Sequence, residues 1–221
     1  MYVIFDMDDT LVAAADLWRD AEIYLLTSLG AERTEELAIQ YKGMNALDVA
    51  ATIHRVIQPR GVMLEECQHR MRGRLLENFR GSEPCEMSGA LSCVQMTATH
   101  TRIALAFGGP LEAIELATKK LGMYPHFSVV LSSESVKRGK PHPDVFLAAV
   151  AKLGVRPQDC LVMEDSLVGV EAAIAAGMPV FAVPSSNHAL IEKKATRVFR
   201  SLGQITWQDI ESLAHYSRSQ P

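Results

Sequence analysis

The sequence predicts an α/β protein with a doubly wound parallel sheet and an all-helical block inserted after the first strand. Three observations carry that expectation. From residue 89 onward, short apolar runs alternate with helical segments, which is the pattern of βαβ units. A further apolar run at residues 2–5 stands apart at the start of the chain. Between the two, residues 14–81 show helical periodicity and no convincing strand.

The elements follow in order. The first strand covers YVIF at residues 2–5. In the insert, Leu17, Ala21, Leu25 and Leu29 recur every four residues and make one apolar stripe along a helix. Further helices fit residues 33–41, 45–57 and 63–79, with Pro59 and Gly61 breaking the last two apart. Later strands fit 102–106 (RIALA), 128–131 (SVVL), 160–163 (CLVM) and 179–183 (PVFAV). Helices fit between and beyond them at 109–121, 143–153 and 167–176. Gly122, Gly154 and Gly177 each follow a helical stretch, where a left-handed C-terminal cap is wanted. A Rossmann-like core is therefore expected over residues 1–13 and 82–221, with a helical cap over 14–81. The polar tail at 215–221, HYSRSQP, is expected to be loose.

Bulk properties narrow the function classes. With 48% hydrophobic and 22% charged residues over 221 positions, the chain can bury a sizeable core. A formal net charge of -4 gives no reason to expect nucleic acid or a membrane surface as partner. No apolar run reaches the roughly 18 residues of a membrane span, and no signal-peptide pattern opens the chain. Cys67, Cys85, Cys93 and Cys160 lack CxxC or zinc-like spacing, so thiols in a reducing cytoplasm are expected. The basic run at 68–74, QHRMRGR, reads as a solvated helix face. The scattered histidines and methionines are assigned no chemistry.

In an open α/β sheet, ligands bind beyond the carboxyl ends of the strands, so the residues there matter most. The first strand runs into Asp6, Asp8 and Asp9. The second ends in Phe107, Gly108, Gly109 and Pro110. Lys140 follows the third, ahead of a helix that Pro143 would start well, and the fourth runs into Glu164 and Asp165. Carboxylates this crowded repel one another and are costly to desolvate alone. Oxygen ligands of this kind suit a hard cation such as Mg²⁺. A lysine can balance both the carboxylates and a transferring phosphoryl group. A carboxylate can attack phosphorus to form an aspartyl-phosphate, and a second one two residues later can pass a proton to the leaving oxygen.

Three segments carry a family resemblance: DMDDT at 6–10, GKPHPDVF at 139–146 and EDSLVGVEAAIAAGMP at 164–179. In this order they resemble the motifs of the haloacid dehalogenase superfamily, in the branch of β-phosphoglucomutase and sugar-phosphate phosphatases. YKGMNALDVA at 41–50 is similar to a cap segment of that branch. The resemblance implies Asp6 as nucleophile and metal ligand, and Asp8 as acid/base with its carbonyl on the metal. It further implies Lys140 as the charge partner of the phosphoryl group and Glu164 and Asp165 as completing a Mg²⁺ site. Thr10, supporting the motif loop, is grouped with Gly108 and Gly109 at the phosphate.

Two departures stand out. Where the family has Ser or Thr at the end of the second strand, this chain has Phe107. A bulky ring is thus expected in the phosphate's place, and Phe107→Ser is expected to raise kcat/KM. Where relatives carry polar residues after the first motif, this chain has Ala13, Ala14 and Ala15, so the substrate is not copied from any relative. The leading expectation is a cytoplasmic, Mg²⁺-dependent phosphatase of a small phosphorylated metabolite, a sugar phosphate, acting as a monomer or small homo-oligomer. The alternatives are a β-phosphoglucomutase-like phosphomutase and a catalytically impaired binding protein of the same fold.

Overall fold

The computed structural model describes residues 1–185 and 189–216. Strand β1 (Tyr2–Phe5) is followed by the short β2 (Val12–Ala13). Four helices come next: α1 (Ala15–Ser28), α2 (Glu35–Ile39), α3 (Ala46–Ile57) and α4 (Leu64–Gly81). Strand β3 (Cys85–Glu86) then pairs antiparallel with β2, so this small ribbon brackets the helical block. The rest alternates: α5 (Ala90–His100), β4 (Ile103–Phe107), α6 (Leu111–Lys120), β5 (Phe127–Ser132), α7 (Asp144–Leu153) and β6 (Cys160–Glu164). It closes with α8 (Leu167–Ala175), β7 (Val180–Ala182), α9 (Ala189–Lys194), β8 (Arg197–Val198) and α10 (Trp207–Tyr216). Residues 217–221 of the expected loose tail lie outside the described residues, and the two before them belong to α10.

Six strands form one parallel sheet in the order β5-β4-β1-β6-β7-β8. The path steps outward on one side of β1 to β4 and β5, then resumes on the other side with β6. That reversal opens a crevice at the carboxyl end of β1, the place where such sheets bind ligands. Alternate strand residues feed two cores. Val3, Phe5, Leu105 and Met163 pack with α5, α6 and the inserted helices. Ile4, Ala104, Val162 and Val180 pack with α7, α8 and α9. Both faces are covered, which is why the strands read as unbroken apolar runs. No helix among the described residues is long and apolar enough to cross a membrane.

Local signals set the helix starts near the site. Asn45 accepts a hydrogen bond from the Asp48 amide at 2.9 Å, capping α3. Ser166 does the same for α8 through the Gly169 amide at 3.1 Å. Gly122, Gly154 and Gly177 adopt positive φ at the ends of α6, α7 and α8. The helical block sits on the core: the Ala46 amide donates to the Gly108 carbonyl at 3.3 Å. Arg72 of α4 reaches Glu134 at 3.0 Å and Glu112 at 2.9 Å on the core. The basic run is thus not merely solvated, since Arg70 and Arg74 are also paired, with Glu66 and Asp20.

Candidate active site

Asp6 directly follows β1, and its amide donates to the Met163 carbonyl at 2.9 Å, extending the ladder to β6. Its carboxylate is therefore held by backbone rather than by a free loop. Lys140, in the segment after β5, donates to Asp6 Oδ1 and to Glu164 Oε1, each at 2.5 Å. All three groups are buried. The other Glu164 oxygen accepts the amides of Asp165 and Ser166 and the Ser166 hydroxyl, at 3.0, 2.9 and 2.9 Å. One Glu164 oxygen is thus filled by the chain that follows it, and the other anchors Lys140 from behind. Gly169 makes room for it: a Cβ there would lie 1.8 Å from Glu164 Oε1.

Asp8 is anchored from the insert. Its Oδ2 accepts the indole N–H of Trp18 on α1 at 2.5 Å, while its Oδ1 is buried without a partner. Asp9 occupies left-handed backbone at φ 51, a conformation that Asp tolerates better than most residues. Its Oδ1 accepts the amides of Ala14 and Ala15 at 2.9 and 3.2 Å. Asp9 therefore caps the entry to α1, where the three alanines offer no side-chain acceptor of their own.

The electrostatics call for a cation. Burial pushes the Asp8 and Asp165 carboxyls well above the usual carboxylate range; Asp6 and Asp9 add to Asp8, and Glu164 and Asp6 add to Asp165. Burial raises Asp6 as well, while Lys140 pulls it back. Lys140 would be lowered by its own burial, but Asp6 and Glu164 more than reverse this and keep it charged. One lysine cannot neutralise such a group. One oxygen each from Asp6, Glu164 and Asp165 lies within 4.8 Å of the others. This all-oxygen set of three carboxylates fits a hard divalent cation.

Asp6, Asp8, Lys140 and Asp165 open into one cavity of about 350 Å³. Its opposite side comes from the insert and includes Trp18, Glu22, Arg33 and Tyr41. The haloacid dehalogenase-like hydrolase family matches residues 1–177, a span that takes in the strand-end cluster and the helical insert. The chain belongs to that family.

Similarity of this hydrolase to individual proteins is more distant. It is 31% identical over 182 residues to fructose-1-phosphate phosphatase YqaB of Escherichia coli (strain K12), covering 80% of this chain and 92% of that one. It is 29% identical over 184 residues to hexitol phosphatase B of the same organism, covering 82% of each chain. The chain spans only 20% of the length of Protein SUPPRESSOR OF QUENCHING 1, chloroplastic, of Arabidopsis thaliana, at 29% identity over 213 residues. Among solved structures, β-phosphoglucomutase of Clostridium difficile superposes with a TM-score of 0.85 over 99% of both chains, at 21% identity. That likeness supports the fold.

Within this family framework, three expected site positions sit differently from their sequence reading. Phe107 does not stand in the cavity. Its ring is 0% exposed and packs edge-on against Phe79 and Trp18, with centroids 6.2 and 6.5 Å apart. The alternation of β4 decides this, because Phe107 shares the face of Ile103 and Leu105. Gly108 lines the cavity but Gly109 does not. Gly109 instead makes room for the ring: a Cβ there would lie 2.5 Å from two Phe107 ring atoms. Thr10 is buried behind Asp165, its hydroxyl 3.5 Å from Asp165 Oδ1, and is also set back from the cavity.

Sequence reasoning missed Trp18, Ser166 and Gly169. Gly169 lies inside the quoted segment at 164–179, five residues after Glu164, and that placement was the available signal. Trp18 had none, because nothing local marks an indole as the partner of a carboxylate ten residues earlier.

Proposed function

We propose that this hydrolase is a Mg²⁺-dependent phosphatase of a small phosphorylated metabolite, a sugar phosphate, working through an aspartyl-phosphate on Asp6. One observation carries the reading. Asp6, its lysine partner and Asp8 share one cavity at the end of the central strand, with a hard-cation donor set beside them. The names of the phosphatase relatives support the substrate class.

Asp6 attacks phosphorus, the bond to the alcohol oxygen breaks, and Asp8 gives that oxygen a proton. Water then attacks the aspartyl-phosphate and returns a proton to Asp8, releasing inorganic phosphate. Lys140 holds Asp6 in place and balances its charge against the incoming phosphoryl group. Asp6 and Asp165, with Glu164 behind them and the Asp8 carbonyl alongside, would hold the cation. When bound, it neutralises the carboxylates and the phosphoryl oxygens. The four cysteines are free thiols, which suits a reducing cytoplasm.

The test is phosphate release from a panel of sugar and polyol phosphates, with and without Mg²⁺. Release that needs Mg²⁺ and is lost in Asp6→Asn supports the proposal. Interconversion of sugar phosphates without net release would mark a phosphomutase instead. Silence on every substrate by a protein that binds Mg²⁺ would point to a binding role.

A further inference from the structure

The cavity wall opposite the strand ends carries a polar group that the phosphoryl chemistry does not use. Glu22 of α1 is only 9% exposed. Its Oε2 accepts Arg33 Nε at 2.7 Å and the Tyr41 hydroxyl at 3.2 Å. Arg33 also donates through Nη1 to Glu35 at 2.8 Å. Glu22 Oε1 and Arg33 Nη2 have no hydrogen-bond partner among the described residues. Glu22, Arg33 and Tyr41 all line the cavity.

We propose that Glu22 and Arg33, braced by Tyr41, form the subsite that selects substrates whose alcohol portion carries neutral neighbouring hydroxyls, and that disfavours a second phosphate. The assignment rests on the phosphatase reading of the core site and names its substrate class: sugar and polyol monophosphates.

Three physical arguments lead there. A buried ion pair contributes little to stability, and well-packed apolar residues often replace it without loss. What it does supply is two polar groups held in one geometry. Next, the open atoms are one acceptor and one donor on two paired residues that line the same cavity, which matches a pair of hydroxyls. A site built to hydrogen-bond hydroxyls also rejects a ligand that lacks them. Finally, Arg33 is already flanked by two carboxylates, Glu22 and Glu35. The buried Glu22 carboxylate thus already balances Arg33, and the pair leaves no uncompensated cation there to hold a second phosphate. Arg19 and Lys42 also line the cavity, but from exposed positions, where a cation steers an anion inward more than it holds one.

The experiment compares kcat/KM for glucitol 6-phosphate and p-nitrophenyl phosphate in wild type, Glu22→Gln and Arg33→Lys. Arg33→Lys keeps the charge of the pair and loses the fork. The ratio of the two kcat/KM values should fall about 10- to 100-fold in each variant, mostly through KM, as expected for one hydrogen bond to a charged group. An unchanged ratio in variants that melt like wild type would overturn the proposal, as would wild-type preference for glucose 1,6-bisphosphate. Calorimetry of glucitol 6-phosphate binding to Asp6→Asn, with and without Glu22→Gln, needs no turnover. A tenfold weaker affinity supports the subsite even if phosphate release is absent and the phosphatase reading fails; equal affinity overturns it.

Discussion

The strand-end cluster and the cap wall each hold a cation between carboxylates, buried at the first and half-buried at the second, and they are built in opposite ways. At the strand ends, Lys140 sits between Asp6 and Glu164. The second Glu164 oxygen is filled by two amides and a hydroxyl. At the cap wall, Arg33 sits between Glu22 and Glu35, and Glu22 Oε1 and Arg33 Nη2 stay open. The difference teaches where rigidity is needed. The attack proposed for Asp6 needs its oxygen held to a fraction of an ångström, and Asp6 hangs from a parallel sheet whose backbone ladder fixes it. The subsite proposed at the cap needs open valences instead, and these come from Glu22 on α1 and from Arg33 in the segment between α1 and α2.

The largest expected effect breaks the strand-end half alone. Asp6→Asn keeps an oxygen that can accept from Lys140 but removes the proposed nucleophile. Turnover should fall by roughly 10⁴ or more, with an unchanged circular-dichroism spectrum. Wild-type-like turnover by the folded variant would reject Asp6 as nucleophile.

Phe107 joins the two halves, since its ring touches Phe79 and Trp18 of the insert from the end of β4. Phe107→Ser should now cost about 3–5 kcal/mol of stability, the range for deleting a buried phenyl ring, without raising kcat/KM. A stable variant with faster turnover would restore the missing-hydroxyl reading. Denaturant unfolding run beside the kinetics separates the outcomes.

Proton and cation should compete at the strand ends and not at the cap. Asp8 and Asp165 are raised by burial and by like charges, so the folded state holds protons that the unfolded state has released. Stability contributed by those protons is present below the unfolded carboxylate range and is lost as pH rises through the raised values. Chelated protein should therefore melt lower as pH increases above about 4, the unfolded carboxylate range. Mg²⁺ at 100 times its Kd should add about 2.7 kcal/mol near neutral pH and progressively less in acid. A Mg²⁺ shift that is constant with pH, or that survives Asp165→Ala, would count against this cation site.

The smallest effect sharpens the link between the halves. Trp18→Phe removes the donor to Asp8 Oδ2 but keeps an aromatic ring against Phe107. If Asp8 protonates the leaving oxygen, kcat on a sugar phosphate should fall on the order of tenfold. On p-nitrophenyl phosphate, whose leaving group needs little protonation, kcat should fall less. Equal losses on both substrates would make Trp18 a packing residue only.

Much of this was legible in the residues themselves. The order of apolar runs and helical stretches specified the parallel sheet and the inserted helices, because burying one face or both imposes a visible period on a segment. The motif segments named Asp6, Asp8, Lys140, Glu164 and Asp165 because they are short runs fixed to strand ends. Elements of two residues, such as the β2–β3 ribbon, left no periodicity to read. Only the tertiary structure decided where Phe107 points, since the pleat of β4 sends its ring into the core while the chain carries Gly108 on to the cavity. Only it brought Trp18 to Asp8 and Glu22 to Arg33 and Tyr41. These contacts join side chains that are neighbours through the packing of helices and strands, and no local spacing encodes such a meeting.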